Sequence, residues 1–256
     1  MIKEETYAPI IEVIEDEYLI PQLNRKRRIA ALLPHDYYEN NKSYPVLYLH
    51  DGQNLFDDYS PFGNWGVDKS LTTLAKKGMS DIIIIAIDHG GQHRIQEYLP
   101  FPTPKYDDNQ GHKYVEFMMN TLKPLVDNKY RVRKEREFTG IGGSSMGGLI
   151  SLYAGLKHND TFSRMMIFSP SLWLSQEIFV ETSKFKPEEK TKIYLYCGGK
   201  ESTSLHPQML LIERLLTEPS PFSKNIATKI SYNASGTHQE RHWGKEFPKA
   251  LQWLFF

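Results

Sequence analysis

Short runs of apolar residues recur along the chain, and each has the length of a β-strand. The runs are Ile10–Ile14, Arg28–Leu33, Val46–His50, Ile82–Asp88, Phe138–Gly142, Met165–Phe168, Ile193–Cys197 and Ile226–Tyr232. Within the third and fourth runs, Val46–Leu49 and Ile82–Ile87 are continuously apolar, which is typical of strands buried on both faces of a parallel sheet. The first two runs fit an antiparallel edge better. The pattern therefore predicts a mostly parallel sheet with an antiparallel N-terminal edge.

Segments with helical spacing separate the later strands, such as Lys113–Val126 and Leu149–Lys157. Strand and helix thus alternate from residue 45 onward, which predicts a doubly wound α/β fold. No glycine- or serine-rich linker and no repeat divides the sequence, so we expect residues 1–256 to form a single domain. The connection Ser169–Thr191 is longer than a simple crossover needs, and its charged second half predicts an excursion over the sheet's edge.

The composition excludes several classes of protein. Hydrophobic residues make up 40% and charged residues 24% of the 256 residues, as in globular domains rather than disordered or fibrous chains. Lys and Arg together number 31, as do Asp and Glu, so the net charge is zero. This balance argues against broad binding to nucleic acid or to an anionic membrane, although a local charged patch is compatible with it.

The N-terminus and the cysteine content bear on location and cofactors. Residues 1–7 carry acidic Glu4 and Glu5 where a secretory signal carries basic residues, and no apolar run is long enough to span a membrane. Cys197 is the single cysteine, which excludes an intrachain disulfide and a multi-cysteine metal site. We therefore expect a cytoplasmic protein without a cofactor or a metal ion.

The strongest chemical signal is the segment Gly143-Ser144-Ser145-Met146-Gly147, which lies between a predicted strand and a predicted helix. It matches the G-x-S-x-G pattern of a nucleophile elbow, whose sharp turn needs small residues two positions before and after the serine. Ser145 is then the nucleophile, and the N–H of Met146 at the helix start is one oxyanion donor. A plain glycine-rich turn is the alternative. A dinucleotide loop does not fit, because its third glycine would fall at Ser145.

A serine nucleophile needs a base, which in folds of this kind is a histidine after the last strand. His238 and His242 both lie in that region. We expect His238 to be the base because it comes first after Gly236, which ends the strand, whereas His242 falls in the terminal helix that runs on to Leu254. His242 is the alternative base. As a pair of metal ligands, the two histidines lack the zincin spacing.

The acid that orients the histidine should lie between Ser145 and His238 in sequence, at the end of a strand. Glu201 fits this description, since it follows the strand Ile193–Cys197 after a turn of two glycines and a lysine. The carboxyl ends of strands are where open α/β sheets bind ligands. A solvated turn residue is the alternative interpretation of Glu201.

The loop after the strand Val46–His50 should supply the second oxyanion donor. Gly52 permits the turn there, and the N–H of Gln53 is the predicted donor. We expect Asn54 in the same loop to contact the substrate and Asp51 to have a structural hydrogen-bonding role.

Three further side chains are candidates for substrate contacts. Trp173 is predicted to contact the substrate. Both Trp173 and Trp65 flank strand ends. Each of them either stacks on an aromatic or sugar group of the substrate or packs in the core. Arg94 either meets an acidic substrate or, as we expect, forms a salt bridge with Glu97.

These residues resemble the Putative esterase family of α/β-hydrolases, which includes esterase D, enterochelin esterases, feruloyl esterases and the antigen 85 mycolyltransferases. Besides the elbow, the resemblance rests on Tyr44–Gly52, Trp65–Asp68, Arg94-x-x-Glu97-Tyr98-x-Pro100, Ser169-Pro170-Ser171-x-Trp173, Gly198-x-x-Glu201 and Gly236-x-His238 with Trp243. It implies the α/β-hydrolase fold, the triad Ser145, Glu201 and His238, and oxyanion donors at Gln53 and Met146. Relatives often have Asp where this chain has Glu201.

The expected function is that of a serine carboxylic ester hydrolase that works through an acyl-enzyme. Its partner would be a soluble small-molecule ester with a short acyl, aromatic-acid, sugar or siderophore-type group, as the resemblance implies. An acyltransferase, in which an alcohol replaces water as acceptor, is one alternative. A noncatalytic binding module on the same fold is another.

Overall fold

The computed structural model describes residues 6–58, 60, 63–79 and 81–256. Residues 1–5, on which the expectation about the N-terminus partly rests, lie outside the described residues. The strands are β1 (Ile10–Ile20), β2 (Arg25–Leu33), β3 (Val46–His50), β4 (Ile83–Ile87), β5 (Thr139–Ser144), β6 (Arg164–Phe168), β7 (Thr191–Gly198) and β8 (Ile226–Asn233). Each of the predicted runs is therefore a strand.

All eight strands belong to one sheet in the order β1-β2-β4-β3-β5-β6-β7-β8. Strand β2 pairs antiparallel with β1 and with β4, and every other neighbouring pair is parallel. The prediction of a mostly parallel, doubly wound sheet with an antiparallel N-terminal edge is thus confirmed.

The helices are α1 (Val67–Ala75), α2 (Arg94–Tyr98), α3 (Gly111–Phe117), α4 (Lys123–Lys129), α5 (Met146–Lys157), α6 (Glu177–Ser183), α7 (Leu205–Thr217) and α8 (Glu240–Phe255). A π-helical segment, Met118–Leu122, joins α3 to α4 within the region where the spacing predicts one helix. Among the described residues, no helix is long and apolar enough to cross a membrane.

The sheet is covered on both faces, as continuously apolar strands require. In β3, Val46 and Tyr48 join one core cluster, while Leu47 and Leu49 join the other. Helices α1 and α8 cover the second cluster, and the remaining longer helices cover the first. Because the parallel strands all end at the same edge, the loops after β3, β5, β6, β7 and β8 meet there.

The segment Ser169–Thr191 connects the neighbouring strands β6 and β7 and contains α6. Helix α6 packs between α5 and α7, with Ile178 and Thr182 fully buried. The predicted excursion over the sheet's edge concerns the charged residues that follow α6, and it stays a prediction.

Candidate active site

Ser145 sits at a strained turn between β5 and α5. Its backbone has φ 57° and ψ −120°, a conformation that a residue other than glycine adopts only where the surroundings enforce it. A Cβ on Gly143 would lie 2.9 Å from the carbonyl carbon of Gly147, and one on Gly147 would lie 3.0 Å from Asp51 Oδ2. The two glycines therefore occupy positions where a larger residue would not fit, as the elbow pattern predicts.

The hydroxyl of Ser145 has a serine neighbour that the sequence analysis did not identify. Ser145 Oγ lies 3.2 Å from the Oγ of Ser171, which is only 6% exposed. The Ser171 N–H also donates to the Ser145 carbonyl oxygen at 3.0 Å, and the Ser145 N–H donates to the Phe168 carbonyl at 3.0 Å. The loop after β6 thus fixes the elbow from the side. Ser171 belongs to the Ser-Pro-Ser-x-Trp motif, which was the available signal.

The structure brings His238 and Glu201 together across 37 residues of chain. His238 Nδ1 lies 2.7 Å from Glu201 Oε2. The Glu201 side chain is 2% exposed, whereas that of His238 is 45% exposed. An imidazole held through one nitrogen by a buried carboxylate has its other nitrogen available for a proton transfer.

Further donors fix the orientation of Glu201. Its Oε1 accepts from the Gly198 N–H at 2.6 Å and from Ser169 Oγ at 2.7 Å. Ser169 Oγ in turn accepts from the indole Nε1 of Trp243 at 2.9 Å. Since an indole N–H only donates and a carboxylate only accepts, the hydroxyl proton of Ser169 must point at Glu201. This arrangement leaves Oε2 for His238, whose ring packs edge-on against Trp243 at 4.8 Å.

The second histidine occupies a different environment. His242 lies in the first turn of α8, and among the described residues neither of its buried ring nitrogens has a hydrogen-bond partner. It is absent from the side chains that line the cavity beside Ser145. The geometry thus distinguishes the two histidines that the sequence left as alternatives, since His238 is the one paired with a carboxylate.

A cavity of about 850 Å³ opens at this edge of the sheet. Ser145 and His238 both line it, together with Asp51, Asn54, Asn64, His89, Arg94, Gln239, Glu240, Arg241 and Trp243. Asn54 therefore lies where the sequence predicts a substrate contact, although its Oδ1 already accepts from Ser60 Oγ at 2.8 Å.

The two candidate tryptophans lie elsewhere. Trp173 is 65% exposed and is not among the residues lining the cavity. Trp65 is 5% exposed and stacks on Phe168 in the core, so packing is its role in the structure.

The turn after β3 lies beside the start of α5. Strand β3 pairs with β5 so that Leu49 faces Gly142, one residue before the elbow begins. Asp51 has φ 59° and starts the 3₁₀ turn Gly52–Asn54, and the side-chain Oε1 of Gln53 accepts from the His89 N–H at 3.1 Å. Met146 is the first residue of α5, so its N–H has no partner within the helix.

Arg94 pairs with Asp51. The expected salt bridge between Arg94 and Glu97 was therefore wrong. Nε and Nη2 of Arg94 donate to the two Asp51 carboxylate oxygens at 2.7 and 2.8 Å. Glu97 is fully buried and pairs instead with Arg25 at 2.9 Å and Arg27 at 2.8 Å. Burial raises the pKa of Asp51, but the charge and hydrogen bonds of Arg94 outweigh it and lower the pKa overall. Asp51 thus has the structural role predicted for it.

The described residues contain no group of three or more His, Cys, Asp or Glu side chains placed to hold a metal ion. The groups at the cavity include the Ser145 hydroxyl and the His238 imidazole, which is paired with the Glu201 carboxylate. This combination is the one used for acyl transfer.

Comparison with known proteins identifies the family of the chain. Residues 20–254 match the family described as Putative esterase. The chain is 25% identical over 243 residues to the uncharacterized protein YbbA of Bacillus subtilis (strain 168), covering 90% of this chain and 92% of YbbA. It is 23% identical over 189 residues to the iron(III) salmochelin esterase of Escherichia coli O6:H1, covering 67% of this chain but only 42% of that protein.

The fold is also found among solved structures. The BES protein from Bacillus cereus superimposes with a TM-score of 0.79 at 16% identity, covering 100% of this chain and 98% of that one. The chain thus belongs to the Putative esterase family and has the α/β-hydrolase fold. Membership of this family makes the protein a hydrolase of carboxylic esters.

Proposed function

We propose that the protein hydrolyses small esters through an acyl-enzyme formed on Ser145, with His238 as the base and Glu201 as the acid that orients it. The observation that carries this proposal is the 2.7 Å contact between His238 Nδ1 and Glu201 Oε2 beside the same cavity as the strained Ser145. A hydroxyl is a poor nucleophile near neutral pH, so it needs an oriented imidazole within reach. The expected triad supplies one.

In the first half-reaction, Ser145 Oγ turns from Ser171 toward His238 and attacks the ester carbonyl carbon. Its proton passes to His238 Nε2, and the new oxyanion accepts hydrogen bonds from the Met146 and Gln53 N–H groups. The intermediate then collapses and breaks the bond to the alcohol oxygen. The alcohol leaves with the proton from His238, and the acyl group stays on Ser145.

In the second half-reaction, water takes the place of the alcohol. His238 accepts one water proton while the hydroxide attacks the acyl carbon, and the same two N–H groups bind the oxyanion. Collapse breaks the bond to Ser145 Oγ, which regains the proton from His238. The products are one carboxylic acid and one alcohol for each ester and water consumed.

The cavity supports small, dissolved esters as substrates. Its lining is polar and charged near Ser145, with Asn54, His89 and Arg94 facing it. We assign Asn54 to a contact with the substrate inside the cavity, and the exposed Trp173, which lies outside the cavity lining, to a contact with a substrate group that extends beyond it. Esters with short acyl, aromatic-acid, sugar or siderophore-type groups fit this lining, and the relative named as a salmochelin esterase supports the last class. We place this activity in the cytoplasm, as the sequence predicts.

The proposal is tested by replacing the nucleophile. Ser145→Ala should keep the fold and lower kcat/KM for p-nitrophenyl acetate by about 1,000-fold or more, since only binding and the oxyanion donors remain. A fluorophosphonate probe should label the wild-type protein at Ser145 and leave the variant unlabelled. Ser183→Ala, at an exposed serine in α6, is the matched control and should behave as wild type. Turnover by Ser145→Ala near the wild-type rate would exclude the mechanism.

A further inference from the structure

A groove lined by basic side chains lies beside the proposed active site, between α1 and α8. It has a volume of about 510 Å³, and we call it the α1–α8 groove. The cationic residues that line it are Lys69, Lys77, Arg241, Lys245 and Lys249. No acidic side chain is among the described residues that line it. The groove is therefore strongly positive in a chain whose net charge is zero.

The positive charges are regularly spaced along both walls. Arg241, Lys245 and Lys249 recur every four residues on α8, so one cation follows another on each turn over about 12 Å. Lys69 in α1 and Lys77 just after it form the opposite wall. Like charges so arranged repel one another, and a bound anion would relieve that repulsion.

Within the part of the chain that the structure describes, most of these charges have no salt-bridge partner. Lys249 pairs with Glu246 at 2.9 Å, and Lys69 lies 3.7 Å from Asp58. Among the described residues, Lys77, Arg241 and Lys245 have no salt-bridge partner, and all three are exposed. They are available to a ligand.

The floor of the groove is apolar and closely packed. Trp65 and Leu74, which line it, are 5% and 2% exposed. Helix α8 reaches the floor through Gly244, where a Cβ would lie 2.1 Å from the Trp65 carbonyl oxygen. Part of a ligand lying here would contact hydrocarbon below and cations at both sides. This environment suits a ligand whose hydrocarbon chain carries anionic groups.

The groove continues from the active-site cavity. Arg241 lines both spaces. On the other side, Gly63 and Asn64 line the cavity, while the next two residues, Trp65 and Gly66, line the groove. A molecule whose ester lies at Ser145 can therefore extend past Arg241 and between the two helices.

We propose that the α1–α8 groove binds an anionic arm of the ester substrate, bearing phosphate or carboxylate groups one to two helical turns beyond Arg241. This inference rests on the proposed function, because it assigns a substrate class to the same site. Lys245 and Lys249 lie about 6 and 12 Å along α8 from Arg241, which sets the reach of the arm. Ammonium and guanidinium groups bind such oxyanions through charge-assisted hydrogen bonds.

The test compares two esters that differ only in a terminal phosphate, hexyl acetate and 6-acetoxyhexyl phosphate. The measurement is kcat/KM for each by acid release at low salt. The wild-type protein should prefer the phosphate ester by about tenfold or more, and the preference should shrink as salt is added. In the double variant Lys77→Glu/Lys245→Glu the ratio of the two kcat/KM values should fall by about tenfold or more, mainly through KM.

The matched control is Lys113→Glu/Lys224→Glu, which makes the same change in net charge at exposed lysines outside the groove. It should keep the wild-type ratio. An equal loss in both double variants would show that net charge and not the groove is responsible, and would overturn the proposal.

A second experiment uses inorganic tripolyphosphate as a competitor. It should inhibit hydrolysis of the phosphate ester more strongly than that of hexyl acetate. A protein that hydrolyses hexyl acetate through Ser145 but shows no phosphate preference would refute the groove while leaving the proposed function intact. Binding of anionic vesicles or of poly-glutamate through Lys77 and Lys245, without that preference, would also refute it.

Discussion

At the scale of single residues, Ser169 links Trp243 to Glu201 and thereby determines which carboxylate oxygen faces His238. Its own backbone has φ 43°, a conformation that is unfavourable for serine and is enforced by the surrounding loop. The sequence identified Glu201 by its position after a strand, and it identified the Ser-Pro-Ser motif without a role for it. The role depends on a hydrogen bond between residues 32 positions apart, which no local pattern specifies.

Removing the Ser169 hydroxyl should therefore weaken catalysis without weakening binding. Ser169→Ala leaves the Gly198 N–H as the remaining donor to Glu201 Oε1, and we expect kcat to fall about tenfold, as the loss of one hydrogen bond to a charged group implies. KM should change little, and the acidic limb of the pH–rate profile should move, because the orientation of His238 changes.

Trp243→Phe removes the indole donor to Ser169 together with part of the buried ring, and it should have a smaller effect in the same direction. Steady-state kinetics of both variants, each checked for its fold by circular dichroism, measure these effects. A purely structural role for Ser169 would lower stability without moving the pH profile, and that result would contradict the positioning role.

The two histidines provide a second comparison at this scale. His238→Ala removes the partner of Glu201 and should lower kcat/KM by about 1,000-fold or more. His242→Ala, four residues away on α8, should stay within about threefold of wild type, because that side chain does not line the cavity. Both variants are assayed with p-nitrophenyl acetate. The opposite ranking would assign the base to His242.

At the scale of the elements, the positions of the strands could be predicted from the sequence. The contacts between elements could be predicted only in part. Continuous apolar runs such as that of β3 mark strands buried on both faces, and the glycine-flanked serine marks the junction of β5 and α5. The π-helical segment between α3 and α4 leaves no local signal, because its residues keep helical spacing. Arg94 pairs with Asp51, 43 residues away, while its near neighbour Glu97 is occupied by Arg25 and Arg27.

The end of β3 should make the stability of the fold depend on pH. His50 is 1% exposed, its Nδ1 lies 2.9 Å from the hydroxyl of Tyr114, and burial lowers its pKa to about 4. In the unfolded chain a histidine has a pKa of about 6.5. The unfolded state therefore binds a proton that the folded state does not, and stability falls as the pH drops from about 6.5 to about 4.

By this linkage, His50 alone should destabilise the protein by about 2 kcal/mol at pH 5 relative to pH 7.5. Urea unfolding at the two pH values measures the loss for wild type and for His50→Asn, whose amide keeps a partner for Tyr114. The loss should be about 2 kcal/mol smaller in the variant. His112→Asn, at an exposed histidine in α3, should keep the wild-type loss. An unchanged loss in His50→Asn would show that His50 is not the titrating group.

At the scale of the whole molecule, the sheet gathers the site at one edge, where a cavity of about 850 Å³ opens beside Ser145. The segment Ser169–Thr191 carries α6 to the face of the sheet between α5 and α7. None of the described residues that line the cavity comes from 172–191. The sequence predicted the sheet and the elbow, but the shape of the opening depends on how loops from five strands pack together.

This cavity leads to a prediction about the physical state of the substrate. Lipases that work on oil surfaces move an apolar lid aside, and the rate then rises once the substrate exceeds its solubility. Here the cavity is lined mostly by polar and charged side chains, and α6 is held in place by buried Ile178 and Thr182. We expect kcat/KM for acetate, butyrate and ferulate esters to exceed that for octanoate esters, with rates that level off at the solubility limit. The measurement is the initial rate of each ester below and above that limit. A jump in rate at the emulsion boundary would show that a lid exists and would contradict an open cleft.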